Sequence, residues 1–135
     1  MTSETAPHII YVSAAVIHDD LGRLLLVRKA GTTAFMQPGG KPEPGETGAE
    51  TLSREIFEEL GLVVAPEHMA PRGSFIARAA NEPGHLVIAE VFTVDIGTQH
   101  PIVAAEIEEL RWVGRDDATD LDIAPLAREY FLPPT

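Results

Sequence analysis

The chain is predicted to be a mixed α+β domain, a mixed β-sheet with helices on its faces. Apolar, partly β-branched runs of strand length stand both before and after one strongly amphipathic segment. That segment carries clear start and stop signals for a helix. The order strands, helix, strands, helix is not a strict alternation, so a doubly wound parallel sheet is disfavoured.

Each element follows from its residues. Met1 to Pro7 is polar and reads as a flexible tail, leaving residues 8–135 as one domain. Ile9 to Ile17 is apolar and reads as a strand. His18-Asp19-Asp20-Leu21-Gly22 carries turn chemistry. Arg23 to Arg28, with Leu24-Leu25-Leu26-Val27 at its centre, reads as a buried strand folding back to pair with the first. Phe35 to Gln37 reads as a short strand ending at Pro38-Gly39-Gly40. The helix spans Thr47 to Leu60. Thr47 and Glu50 fit the reciprocal capping box, and Gly61 stands where a left-handed cap is wanted. Ala49, Leu52, Ile56 and Leu60 share its apolar face. Arg72 to Ala79 and His85 to Asp95 read as two further strands, joined by a turn at Asn81-Glu82-Pro83-Gly84. Leu110 to Val113 reads as a last strand and Leu121 to Phe131 as a closing helix, with Pro125 near its start.

Composition sets limits. A chain of 135 residues with 44% hydrophobic and 23% charged residues has the size and make-up of one soluble domain. A net charge of −11 disfavours electrostatic binding of nucleic acid polymers. It leaves room for a small anion, because a bound cation reverses the local sign. With no cysteine, disulfides and thiolate zinc sites are impossible. No signal-peptide pattern opens the chain, and its longest apolar run is too short for a bilayer, so a cytoplasmic location and no membrane partner are the expectation. The five histidines share no metal-ligand spacing and receive no role.

One segment carries chemistry. Glu55, Glu58 and Glu59 are spaced i, i+3, i+4, which sets their carboxylates on one stripe of the helix, rotated away from the apolar face. Glu46 lies just ahead of the cap, and Arg54 is the only cation in the helix. Clustered like charges repel, and the arrangement becomes favourable when hard cations bind between them. The preceding loop, Gln37 to Gly45, is rich in Gly and Pro, which lets backbone approach a metal or phosphate closely. Alone, such a loop is an ordinary turn and such a stripe is usually a solvated face.

Together they resemble a known motif. Gly40, five residues, Glu46, seven residues, then Arg54-Glu55-Ile56-Phe57-Glu58-Glu59-Leu60-Gly61-Leu62 resembles the complete Nudix box, with every fixed position filled. The resemblance extends more loosely to the flanking strands and to Glu106 through Val113. It implies a Nudix-like α/β/α sandwich and a Mg²⁺-dependent hydrolase, with Mn²⁺ as a substitute, that cleaves a diphosphate linkage in a small nucleotide-like molecule. By that likeness Glu55, Glu58 and Glu59 bind metal, joined by the Gly40 carbonyl. Glu46 supports the loop at the rim, and Arg54 holds a neighbouring glutamate. The general base stays open between Glu58 or Glu59 and Glu106, with Glu90 a weaker candidate. Gly39, Gly40, Arg28 and Lys29 are candidate substrate contacts, while surface solubility accounts equally well for the two cations. Phe35 and Trp112 are expected in the core. The resemblance also makes a homodimer a reasonable expectation.

Substrate is less legible. Relatives specific for ADP-ribose usually show a proline where this chain has Ala77-Arg78-Ala79. Those acting on dinucleoside polyphosphates often have a tyrosine near Ala79-Ala80, and those clearing oxidised purine triphosphates often have an asparagine within a stretch matching Thr119 to Leu126. All three features are missing. The short chain without an added recognition domain favours a nucleoside triphosphate pyrophosphohydrolase. The alternative is a non-catalytic nucleotide-sensing or partner-binding module.

Overall fold

The computed structural model describes residues 8–133; the tail expected at Met1 to Pro7 lies outside them. Strands β1 (His8–Val16), β2 (Leu24–Lys29) and β3 (Gly39–Gly40) precede helix α1 (Gly48–Leu60). Strands β4 (Ala70–Arg78), β5 (His85–Thr93) and β6 (Ile107–Val113) follow, and helix α2 (Pro125–Tyr130) closes the chain. A four-stranded mixed sheet has the order β3-β1-β5-β4, with β1 parallel to β5 and the other neighbours antiparallel. A two-stranded antiparallel sheet joins β2 to β6.

Side-chain alternation builds the layers. Along β1, Ala15 packs with the buried face of α1, while Ala14 and Val16 pack with α2. Along β2, Leu25 and Val27 take the first core, and Leu24 and Leu26 the second. The sheets therefore lie between two helices, as an α/β/α sandwich requires. In α1, Leu52, Ile56 and Leu60 are buried, with Ala49 packed at their margin. Thr47 and Glu50 exchange the two capping-box hydrogen bonds, at 3.2 and 2.9 Å. Gly61 caps the C-terminus at φ 68°. Phe35 is buried, and Trp112 packs half-buried against the first core.

Three expectations need correction. The second strand does not pair back on the first. β5 runs along one edge of β1 and β3 pairs with Ser13 and Ala14 on the other, and β2 touches that region only near the turn, through His18 opposite Leu24 and Leu25 N donating to Ile17 O. Its partner is β6. Phe35 and Met36 form single bridges, and regular pairing resumes only at Gly39–Gly40. The last helix begins at Pro125, because proline suits the first helical position and biases the residue before it away from helix.

Candidate active site

The fold gathers the candidate residues from four places. β3 lies antiparallel beside β1, Gly39 opposite Ala14 and Gly40 opposite Ser13. Helix α1 then brings Glu55 and Glu59 up against this strand. Gly39 N donates to Glu59 Oε1 at 3.3 Å, and the Glu55 carboxylate rests on the Gly40 α-carbon, where a Cβ would overlap Oε2. The segment leading into β6 is tied to the end of α1 by Ile102 N donating to Leu60 O and Ala104 N donating to Glu59 O. That tether carries Glu106 to the site. The fourth contribution, Lys29, comes from a bulge: Arg28 pairs with Glu109, but Lys29 pairs with Ile107. A bulge re-aims side chains. Lys29 Nζ reaches Glu106 at 3.7 Å, while Arg28 turns to Glu109 and the Thr32 carbonyl.

These groups line a cavity of about 400 Å³. Gly39, Gly40, Glu55, Lys29, Lys41 and Glu106 stand on its wall, and Arg28 does not. Ile10, Val12, Val87, Leu126 and Ala127 form an apolar stretch, with Arg78 from the end of β4 and Asn81 and Glu82 from the β4–β5 connection beyond it. Gln37 lines it too; its Nε2 donates to Ala15 O at 3.0 Å, while its buried Oε1 has no partner among the described residues. An orphaned buried acceptor costs about 1–3 kcal/mol, and a donor arriving with a ligand relieves it. Sequence reading missed Gln37, Arg78, Asn81 and Glu82. Gln37, Asn81 and Glu82 come from a loop and a turn whose composition speaks only of chain reversal, and Arg78 ends a strand, where a charged residue reads as surface.

Electrostatics divides the carboxylates. Arg54 is a hub: it donates to Glu46 at 2.7 and 3.0 Å, to Glu55 at 3.1 Å, to Glu58 at 3.3 Å and to the Lys41 carbonyl at 3.1 Å. Glu46 also accepts from Thr51 and from Glu43 N. The Arg54 hydrogen bonds, with the Glu43 N–H, hold the Glu46 carboxyl down to about 2. The same bonds, led by those to Glu46, push the Arg54 guanidinium up. Glu58 is half exposed outside the cavity wall. Glu55 is pushed up by burial, against the pull of Arg54 and with the repulsion of Glu58 and Glu106. Glu59 is 2% exposed and is pushed up to about 8, first by burial and then by Glu55. Glu90, the weaker base candidate, is exposed on β5 and its carboxylate abuts Gly48 at the start of α1.

The donors suit a hard divalent cation. All are oxygen, and Glu59 is buried with one weak N–H partner among groups that repel it. As they stand, no three His, Asp or Glu side chains among the described residues converge tightly enough to share an ion. Glu55 and Glu58 are turned toward Arg54 instead.

The chain belongs to the NUDIX domain family, which matches it over residues 7–133. It is similar to the 8-oxo-dGTP diphosphatase of Haemophilus influenzae, 35% identical over 71 residues that cover 50% of this chain and 52% of that protein. The chain thus matches about half the length of that relative. The isopentenyl-diphosphate Delta-isomerase of Brevibacterium linens is 31% identical over 145 residues, 96% of this chain and 75% of the relative. Among solved structures, the MutT protein from Methanosarcina mazei superposes with a TM-score of 0.68 at 26% identity, covering 93% of this chain and 89% of that one.

Proposed function

We propose that this protein is a Mg²⁺-dependent Nudix hydrolase that cleaves a diphosphate linkage in a nucleoside diphosphate derivative, with nucleoside triphosphates as the favoured substrates. The observation that carries the reading is the buried Glu59 beneath Gly39, next to Glu55 on the wall of a cavity that also holds Lys29 and Glu106. Glu55, Glu59 and Glu58 would hold the cation with the Gly40 carbonyl, and Mn²⁺ offers the same oxygen preference. When bound, the cation supplies charge neutralisation at phosphate oxygens and a more acidic water.

The chain's own residues do the rest. Gly39 and Gly40 let the backbone lie close to the diphosphate, because neither adds a side chain there. Lys29 sets a positive charge on the cavity wall for a phosphate oxygen. Arg54 fixes the loop by binding Glu46 and the Lys41 carbonyl, and it positions Glu55. Glu106, exposed at the mouth, is the group best placed to accept a proton from the attacking water.

The test is phosphate or pyrophosphate release over nucleoside triphosphates, nucleoside diphosphate sugars and isopentenyl diphosphate, with Mg²⁺, with Mn²⁺ and with EDTA. Hydrolysis that requires the cation is the expected result. Tight nucleotide binding without turnover on any compound would establish the sensor instead. Isomerisation of isopentenyl diphosphate without hydrolysis would establish the chemistry named for the Brevibacterium linens relative. Fold alone does not choose between these.

No helix among the described residues is long and apolar enough to cross a membrane. The homodimer belongs to the same proposal. Tyr11 and Ile76 lie in one register row through Ile88 and are 59% and 55% exposed, which leaves apolar sheet surface for a second copy. Light scattering at micromolar concentration is expected to give twice the monomer mass, and a monomer there would remove the dimer from the reading.

A further inference from the structure

Among the described residues, one buried side-chain polar atom has no hydrogen-bond partner: Oε1 of Gln37. Turning the amide over does not mend this. Ala15 N donates to Pro38 O at 2.9 Å, and in an antiparallel ladder the facing residue returns a bond to the carbonyl beside it. Proline has no N–H to return. The Gln37 side chain takes that place, with Nε2 donating to Ala15 O at 3.0 Å. A flipped amide would set two oxygens against each other and strand the nitrogen. Nε2 is thus committed to the sheet, and Oε1 is left as an acceptor held in one place.

Register sets that side chain on the cleft. β3 puts Gly39 opposite Ala14, so Gln37, two residues earlier, falls opposite Val16. Ala14 and Val16 point to the same side of the sheet as Val12. Gln37 is 7% exposed and lines the cavity with Gly39, Ala14 and Val12. Gln37 and Gly39 share one side of their strand, with α-carbons roughly 7 Å apart. A phosphate lying over the bare Gly39 therefore brings the first group joined to it alongside Gln37.

The surroundings select the donor. Val12, Ala14, Met36 and Leu126 make this part of the wall apolar. An amino group would bring a second N–H that nothing there accepts, and an unmade bond in a dry site is unfavourable. A hydroxyl brings one donor. The hydroxyls of a sugar that carries the phosphate on its 5′ carbon fall at this range, and the base lies farther out. We propose that Gln37 is a specificity-determining residue whose Oε1 accepts a hydrogen bond from a sugar hydroxyl next to the diphosphate, so that the cleft favours hydroxyl-bearing substrates over their deoxy counterparts. This rests on the reading that the Gly39–Gly40 end holds the diphosphate.

The experiment measures binding with Mg²⁺ of AMP, 2′-deoxy-AMP, 3′-deoxy-AMP, purine riboside 5′-monophosphate and pyrophosphate. The four monophosphates have no anhydride to cleave, so their binding is read without turnover. Wild type is expected to bind AMP about 5–10-fold tighter than one of the two deoxy compounds. Gln37→Met is expected to lose that preference, weakening AMP by the same factor and leaving the deoxy compound and pyrophosphate unchanged. Gln37→Asn, whose shorter amide cannot reach both the Ala15 carbonyl and the ligand, is the second variant and is expected to behave alike. Melting curves show which variants are folded. Equal affinity for AMP and both deoxy compounds in the wild type overturns the proposal, as does a preference that survives in either folded variant. A loss confined to purine riboside 5′-monophosphate overturns it in favour of the base amino group. An equal loss of AMP and pyrophosphate overturns it in favour of phosphate or a metal-bound water. Binding without a hydroxyl preference, beside Mg²⁺-dependent hydrolysis of ATP, sinks this inference alone. A Gln37-dependent preference without hydrolysis of any diphosphate keeps it and sinks the hydrolase reading.

Discussion

Glu59→Gln is expected to lower metal-dependent turnover roughly 1,000-fold while making the metal-free protein more stable above neutral pH. The carboxyl is pushed up to about 8 by burial and by Glu55, so the folded state prefers it protonated. The stability that this preference contributes is fully present below the ordinary carboxylate value of 4.5 and is lost as pH rises through about 8. Wild-type protein in EDTA should therefore lose on the order of 3 kcal/mol of unfolding free energy between pH 5 and 8.5, with a fall in melting temperature over that range. The glutamine variant should stay nearly flat over that range. Both proteins should still weaken in acid, because Glu46 is held down to about 2 by Arg54 and its contribution is lost as pH falls toward that value. Cation binding must displace the Glu59 proton, so apparent Mn²⁺ affinity should rise about tenfold per pH unit from 6 to 8. Melting curves in EDTA and metal titrations at several pH values check both points. A wild-type melting temperature that is level from pH 5 to 8.5 would contradict this account of Glu59.

Gly40→Ala is expected to fold normally and lose about 10–100-fold in turnover. The added methyl would overlap the Glu55 carboxylate, the end of a flexible side chain that can swing away. The backbone survives while the carboxylate leaves its place on the cavity wall. Gly39→Ala is the contrasting case. Its methyl would overlap the Ser13 carbonyl oxygen, which is backbone, at a φ of 151° that L residues rarely adopt. That variant should lose about 2–4 kcal/mol of stability. Melting temperatures and kcat for the pair separate the two effects. Equal melting losses, or full activity in Gly40→Ala, would show that Glu55 does not depend on the bare glycine.

The helix and its chemistry were legible because they are local. Thr47, Glu50 and Gly61 each satisfy backbone groups within a few residues, and the 3.6-residue period alone puts Leu52, Ile56 and Leu60 on one face; it does not set Glu59 apart, which follows Leu52 by two turns and is buried with that face. Strand pairing was not legible. β2 carries four consecutive apolar residues that suit either neighbour, and only the tertiary arrangement, with β5 along one edge of β1 and β3 at Ser13 and Ala14 on the other, sends it to β6. A run buried on both faces holds no record of its partner.

The same division runs through the site. From sequence alone came the acidic stripe, the glycine pair, the helix with its caps and the family likeness, all within 24 consecutive residues from Gly39 to Leu62. Tertiary structure decided that Glu59 is buried under Gly39 while Glu58 stays in solvent on Arg54. It also decided that a bulge turns Lys29 and not Arg28 into the cleft, and that Arg78 arrives there from β4. Periodicity assigns a face within one element, but burial and charge depend on what a second element places against that face. Here β3, β6 and the β4–β5 turn supply that partner from distant parts of the chain.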